Sequence, residues 1–173
     1  MPILIVKFKT KYMCNLLITM ALFATIVSAK AQKTMSIQEI SDRLQIRELV
    51  DRYAIESDKD NRDYYRNIFA KNVQVRFYGE GKMEAKYSNV EEMVRGYKEN
   101  RKAKVTFYQI GQQLVDFIDK THAKGIVYIT VLLVYDKEMP IEKYIRCEDK
   151  YEKIDGRWWI THRDQHLLFR RQL

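Results

Sequence analysis

The stretch Ile141–Arg163, IEKYIRCEDKYEKIDGRWWITHR, decides the fold. Two runs of strand-forming residues flank Asp155-Gly156, a dipeptide that closes two-residue hairpins because both positions tolerate positive φ. Pairing Ile154 with Arg157 sets Tyr151 against Ile160, Asp149 against His162 and Glu148 against Arg163. Strand parity then gathers Ile145, Cys147, Asp149, Tyr151, Trp158, Ile160 and His162 on one apolar face, with Glu148, Trp159, Thr161 and Arg163 on the other. An aspartate that orients an imidazole is an acid/base unit suited to neutral pH. The same pair is also an ordinary polar contact near a sheet edge. A bulge after Ile160 would exchange His162 for Arg163 on the inner face, so both remain candidates.

Two further strands precede this hairpin. Val105–Ile118 has Gly111 where its alternation slips, a bulge signal. Ala123–Tyr135 is apolar on both faces, with Val127, Ile129, Val131 and Leu133 on one and Ile126, Tyr128, Leu132 and Val134 on the other. A strand of that kind needs two covers: helices can supply one, and a second copy of the chain the other, which predicts a homodimer through the outer sheet face.

Upstream, helical spacing dominates. Ser36 with Glu39 opens a helix that runs to about Ser57, striped by Ile37, Ile40, Leu44, Ile46, Leu49, Val50, Tyr53 and Ala54. A short helix over 61–70 carries Tyr64, Tyr65, Ile68 and Phe69. Val73, Val75 and Phe77 alternate in a strand that stops at Gly79 and Gly81, and a helix over 89–101 presents Val90, Met93, Val94 and Tyr97. Helices succeeded by long strands predict an α+β domain, with N-terminal helices packed over the concave face of a cone-shaped, curved antiparallel sheet. Such a cone contains a pocket.

The apolar rows of the first helix continue onto Ser57 and Asp58, which aims a carboxylate inward near the negative end of the helix dipole. Lost hydration and the dipole both make it hold its proton more tightly, as a general acid or base requires. Alternatively, Asp58 or Asp60 caps a second helix starting near Asn61, with Asp63 in its first turn.

Residues 1–31 read as a secretory signal. Lys7, Lys9 and Lys11 precede the apolar run Leu16–Val27, and Ala29-Lys30-Ala31 forms a cleavage site before Gln32, which predicts a secreted or periplasmic protein. The rival reading starts translation at Met35 and keeps the chain in the cytoplasm. The apolar run is too short for a lasting membrane span. Residues 1–31 hold four lysines and no acid, so without them the formal charge falls from +8 to +4, and no basic, aromatic-interleaved stripe predicts nucleic-acid binding. Residues 32–173 suit one domain. Their only cysteine, Cys147, reads as a small buried hydrophobe. No metal-ligand spacing, glycine-rich phosphate loop or nucleophile-elbow pattern is present, so neither a metal nor a cofactor is expected.

Over about Ile37–Arg163 the chain resembles the nuclear transport factor 2-like superfamily, within it the SnoaL-like branch. The resemblance rests on Arg47, Tyr53 and Asp58 in the opening helix, Phe69 before the first strand, Thr106-Phe107-Tyr108 entering the long strands, and Asp149, Asp155-Gly156, Trp158, Ile160 and Arg163 near the end. It implies a cystatin-like roll, a fold that hosts dehydratases, isomerases, cyclases and epoxide hydrolases as well as proteins that only bind. In dehydratases of this group a tyrosine and an aspartate on the first helix work with a histidine on a sheet strand. Tyr53 and Asp58 match the first two, and Tyr108 stands where the histidine would be.

These features predict an exported, cofactor-independent lyase or isomerase acting on a hydrophobic, oxygenated small molecule. Asp58 would abstract a proton while Tyr53, Tyr108 and His162 hydrogen-bond the oxygen that gains charge, with Asp149, Arg163, Trp158 and Phe77 lining the substrate pocket. The alternative is a non-catalytic small-molecule-binding or dimeric scaffold protein of the cell envelope.

Overall fold

Helix α1 (Ile37–Asp58) buries Ile46, Leu49, Val50, Tyr53, Ala54 and Ser57 along one face, as its apolar spacing requires. The computed structural model describes residues 34–100 and 102–173, and the compact unit spans Ile37–Leu173. The expected signal segment lies outside the described residues. Among those described, no helix is long and apolar enough to cross a membrane.

The first turns of α1 depart from the expected stripe. Ile37, Ile40 and Leu44 are exposed, and the buried residue there is Asp42. Its Oδ1 accepts from Gln38 Nε2 at 3.0 Å, Lys153 Nζ at 2.7 Å and Trp158 Nε1 at 2.9 Å, which fastens the helix to the final hairpin. Burial pushes the Asp42 carboxyl up, but these donors outweigh it and hold it below the usual range.

α1 ends in a Schellman turn: Asp60 takes φ +59°, its N–H bonds to Ser57 O, and Asn61 N–H bonds to Glu56 O at 2.8 Å. Asp60 therefore closes the first helix and does not start a second. The next element is a 3-10 turn, Arg62–Asn67, shorter than the helix expected over 61–70, because Phe69 and Ala70 already belong to a strand.

The strands are β1 (Phe69–Gly79), β2 (Lys82–Tyr87), β3 (Val105–Phe117), β4 (His122–Val134), β5 (Ile141–Ile154) and β6 (Arg157–Gln172), with helix α2 (Val90–Glu99) between β2 and β3. They form one curved sheet in the order β2-β1-β6-β5-β4-β3, antiparallel except for the parallel β1–β6 pair. The fold is thus α+β, with the helices over the inner sheet face. β2, Lys-Met-Glu-Ala-Lys-Tyr, has no apolar alternation and gives no strand signal; it pairs at the sheet edge through its backbone.

Two bulges set which side chains face inward. In β3 the register slips between Ile110 and Gln113, around the expected Gly111. In the β5–β6 hairpin Tyr151 pairs with Ile160 as the turn dictates, but Lys150 pairs with His162, so Thr161 is the extra residue. Asp149 therefore opposes Arg163, correcting the direct Asp149–His162 register. Arg163 Nε and Nη2 donate to Asp149 Oδ1 and Oδ2 at 2.8 and 2.7 Å, with side chains 1% and 0% exposed. The guanidinium lies 4.7 Å from the Tyr53 ring centroid and 5.3 Å from that of Phe69.

A buried pair of this kind is costly to half-remove, because the surviving charge keeps no partner. Arg163→Met should lower unfolding free energy by about 3–5 kcal/mol, whereas Asp149→Leu/Arg163→Met should recover much of that loss. Chemical denaturation of both variants measures it; equal losses in both would show that the ion pair is not what the single variant removes.

Candidate functional site

The inner sheet face with β2, the 3-10 turn and α2 border a cavity of about 540 Å³. Its wall includes Arg62, Phe77, Tyr97, Tyr108, Lys143 and Gln165, and the exposed Glu84, Asn100 and Lys102 rim it. A larger groove of about 700 Å³ runs between α1, Tyr64, Arg157 and Trp158. Only the smaller cavity has hydroxyls and a buried guanidinium converging on it, so it is the candidate site.

Each group is placed by a local cause. The turn at Asp60 reverses the chain so that Arg62 folds back beneath α1, where it is 4% exposed and its Nε lies 3.4 Å from Asp60 Oδ1. Tyr97 continues the apolar stripe of α2, whose start is capped by Asn89 Oδ1 accepting from Glu92 N–H. Tyr108 is carried inward by β3 ahead of its bulge. Tyr53, Tyr65, Tyr97 and Tyr108 pack ring on ring, with Tyr53 at 5.2 Å from Tyr65 and 5.8 Å from Tyr108.

The hydrogen bonds among these groups have a direction. Ser57 Oγ donates to Tyr53 O at 2.5 Å, and its single proton is then spent, so the Tyr65 hydroxyl must donate to Ser57 Oγ across their 2.6 Å contact. Arg62 Nη1 donates to the Tyr65 hydroxyl and fixes that order. The same cation acts on the Tyr108 hydroxyl electrostatically, against the upward push of burial, and that hydroxyl lines the cavity. Burial pushes the Tyr53, Tyr97 and Tyr108 hydroxyls well above the ordinary tyrosine range, so all three stay neutral donors at physiological pH.

Asp58 stands behind this cluster. Its Oδ1 accepts from the Tyr108 backbone N–H at 2.7 Å, and it is half-buried without itself lining the cavity. Burial raises its carboxyl above the usual value against the opposing pull of that N–H and of Arg62. The other carboxyls with a resolved shift, including Asp42, Asp119 and Asp164, are lowered.

Of the residues singled out in the sequence, Tyr108 and Phe77 line this cavity, and Tyr53 and Asp58 stand behind it against Tyr108. His162 does not. The bulge at Thr161 turns it to the outer face, where its Nε2 lies 3.1 Å from Arg76 Nη2 and 3.0 Å from Asp164 Oδ1. Asp149 and Arg163 lie in the core beneath Tyr53, and Trp158, 1% exposed, faces the larger groove and Asp42. Cys147 is fully buried, with its thiol pushed up to about 12, and so stays protonated. Among the described residues no cluster of His, Cys, Asp or Glu could hold a metal.

Sequence reasoning missed Arg62, Lys143 and Gln165. Lys143 was within reach, since parity places it in the row of Ile145, Cys147 and Asp149. Arg62 gave no signal, because its burial results from the turn at Asp60.

A raised acid opposes folding once ionised. Its contribution to stability is complete below the ordinary Asp value and is lost as pH rises through the folded one. Asp58→Asn keeps an acceptor for the Tyr108 N–H, so its melting temperature should gain on wild type as pH rises from about 4 to about 7. A difference that stays constant over that range would show that Asp58 is not raised.

Comparison with curated protein sequences gives no match. Solved structures do match. A candidate scytalone dehydratase from Novosphingobium aromaticivorans DSM 12444 superposes with a TM-score of 0.72 at 16% identity, covering 80% of this chain and 92% of its own. A hexachlorocyclohexane dehydrochlorinase from Novosphingobium barchaimii LL02 gives 0.68 at 16% identity, covering 79% and 93%. A protein with a cystatin-like fold from Nostoc punctiforme PCC 73102 gives 0.58 at 18%, covering 73% and 90%. At these identities the likeness is one of fold. The family model of the SnoaL-like domain matches residues 38–164, and by that match the chain belongs to the SnoaL-like domain family.

Proposed function

We propose that the protein is an exported, cofactor-independent lyase or isomerase that acts on a hydrophobic, oxygenated small molecule held in the 540 Å³ cavity. The observation that carries this reading is the place of Tyr108: its buried, neutral hydroxyl lines the cavity beside the Arg62 cation, where it can donate to a substrate oxygen that gains negative charge. The Tyr97 and Tyr53 hydroxyls lie 3.3 Å apart, and with Tyr53 donating, the Tyr97 proton is free for the same place, since Tyr97 lines the cavity. The Arg62 cation supports the charge through Tyr108, in surroundings where electrostatic interactions are strong.

Asp58 is the proton acceptor in this reading. Its Oδ1 is held by the Tyr108 N–H, which leaves Oδ2, and a substrate must reach past the Tyr108 ring to meet it. Two neighbours in fold are named for eliminations, a dehydration and a dehydrochlorination, and both begin from loss of a proton and a leaving group. Support for export comes from the leader-like composition of residues 1–31. A binding protein without turnover is the second reading, and it is favoured by the absence of Asp58 from the cavity wall.

The sheet's outer face exposes Phe107, Leu114, Tyr128 and Phe169 by 42–60% of their surface, which supports pairing of two copies through that face. Light scattering should give about twice the monomer mass for the wild type and the monomer mass for Phe107→Glu/Tyr128→Glu. A monomeric wild type contradicts the pairing.

The activity is tested with a panel of cyclic ketones and β-hydroxy ketones in deuterated water, read by NMR for exchange of the α-proton and for loss of water. Tyr108→Phe should lower the rate by about 10²–10³-fold, and Asp58→Asn by about 10²–10⁴-fold. Binding of panel compounds with no exchange or elimination would favour the second reading.

A further inference from the structure

One charge in the cavity has no use in that chemistry. Lys143 occupies an inward position of β5, in the row that continues with Ile145, Cys147, Asp149 and Tyr151, where the neighbouring members are apolar or paired. Its strand partner on β4 is Val131, another wall residue of the cavity. Lys143 is partly buried and forms no ion pair among the described residues. Arg170, its partner on β6, repels it, and the attraction it feels comes from Glu84, an exposed residue at the rim. Desolvation and Arg170 together make its ammonium easier to deprotonate than an ordinary lysine.

The charges of the wall are unbalanced in the same sense. Glu84 is the one acid among the lining residues, against Lys102, Lys143 and an Arg62 already paired with Asp60. In the same wall, on β6 opposite Cys147, Gln165 Oε1 is buried without a hydrogen-bond partner, an acceptor that a ligand donor would satisfy. Partly desolvated, unpaired charge is unfavourable in the empty protein, and a matching ionic group relieves it on binding.

We propose that the cavity takes a small organic acid whose carboxylate pairs with Lys143 and whose apolar ring lies along Phe77, Val131, Leu133 and Ile145. The acid group then anchors the molecule on β5, across Val131 from Tyr108, and leaves a second oxygen function to meet the Tyr108 hydroxyl. This selection rests on the reading of the cavity as the ligand site, and it adds the ligand's charge and its direction.

The test is calorimetric titration with 2-naphthoate and 2-naphthamide, two probes of nearly equal shape that differ in charge. Wild type should bind the acid about tenfold more tightly than the amide. Lys143→Met should bring the acid to the amide's affinity and leave the amide unchanged, and Leu133→Trp, which fills the cavity, should abolish both. Equal binding of acid and amide by the wild type overturns the charge selection while leaving the cavity as a ligand site. So does a Lys143→Met variant that weakens both alike. Failure of both probes to bind, or binding that survives Leu133→Trp, overturns the selection together with the cavity reading beneath it.

Discussion

The buried Asp149–Arg163 pair joins the two strands of the last hairpin at the point where β6 carries its extra residue, Thr161, and the rest of the structure is arranged around that contact. A fork of two parallel hydrogen bonds allows little misalignment, so the register beyond the bulge is fixed there. The faces of Tyr53 and Phe69 cover the guanidinium, and this couples α1 and β1 to the same centre. Tyr151 adds a third hydrogen bond to Asp149 Oδ2 at 3.0 Å, leaving the carboxylate well satisfied. Charge so deep in a core contributes less to net stability than to specificity, since a slipped register would leave both ions unpaired.

From that centre the cavity is set by geometry. The Tyr53 ring covers Arg163, its hydroxyl lies 3.3 Å from that of Tyr97, and Tyr65 bonds to Ser57 and Arg62. Arg62 and Ser57 fix the direction of the Tyr65 proton, and Tyr108 lines the open space with a neutral hydroxyl. The cluster is thus preorganised: its donors are oriented before any ligand arrives, and little reorganisation is required when charge develops. Across Val131 from Tyr108 the same space holds Lys143, a cation outside any ion pair among the described residues, so the cavity presents a hydroxyl and a cation two strands apart.

Much of this was legible in the chain, and the exceptions have physical causes. Asp155-Gly156 fixed the hairpin, alternation fixed β4, and helical spacing placed Tyr53 and Tyr97 on inward faces. The helical rows also turn Asp58 toward the sheet, but its partner is a backbone N–H, which no side-chain pattern reveals. His162 was misplaced by a single bulged residue, because one step in a strand exchanges its faces. Arg62 owes its burial to a left-handed Asp60, a conformation that a non-glycine residue does not advertise. Asp42 was invisible for a related reason. Its neighbours Ile37, Ile40 and Leu44 imitate a buried stripe, while two of its three donors come from the distant Lys153 and Trp158.

A solvent-excluded set of neutral hydroxyls, ordered by Arg62, forms one end of the cavity, and both the proposed chemistry and the proposed ligand orientation require it. NMR of protein labelled with carbon-13 at tyrosine Cζ, titrated with base, reads the ionisation of each ring directly. The signals of Tyr53, Tyr97 and Tyr108 should stay at the protonated position well past the pH at which a free tyrosine ionises, with that of Tyr108 moving in Arg62→Met. Titration of Tyr108 in the wild type at the ordinary tyrosine value, unaffected by Arg62→Met, would show that the hydroxyls are neither shielded from water nor ordered by the guanidinium.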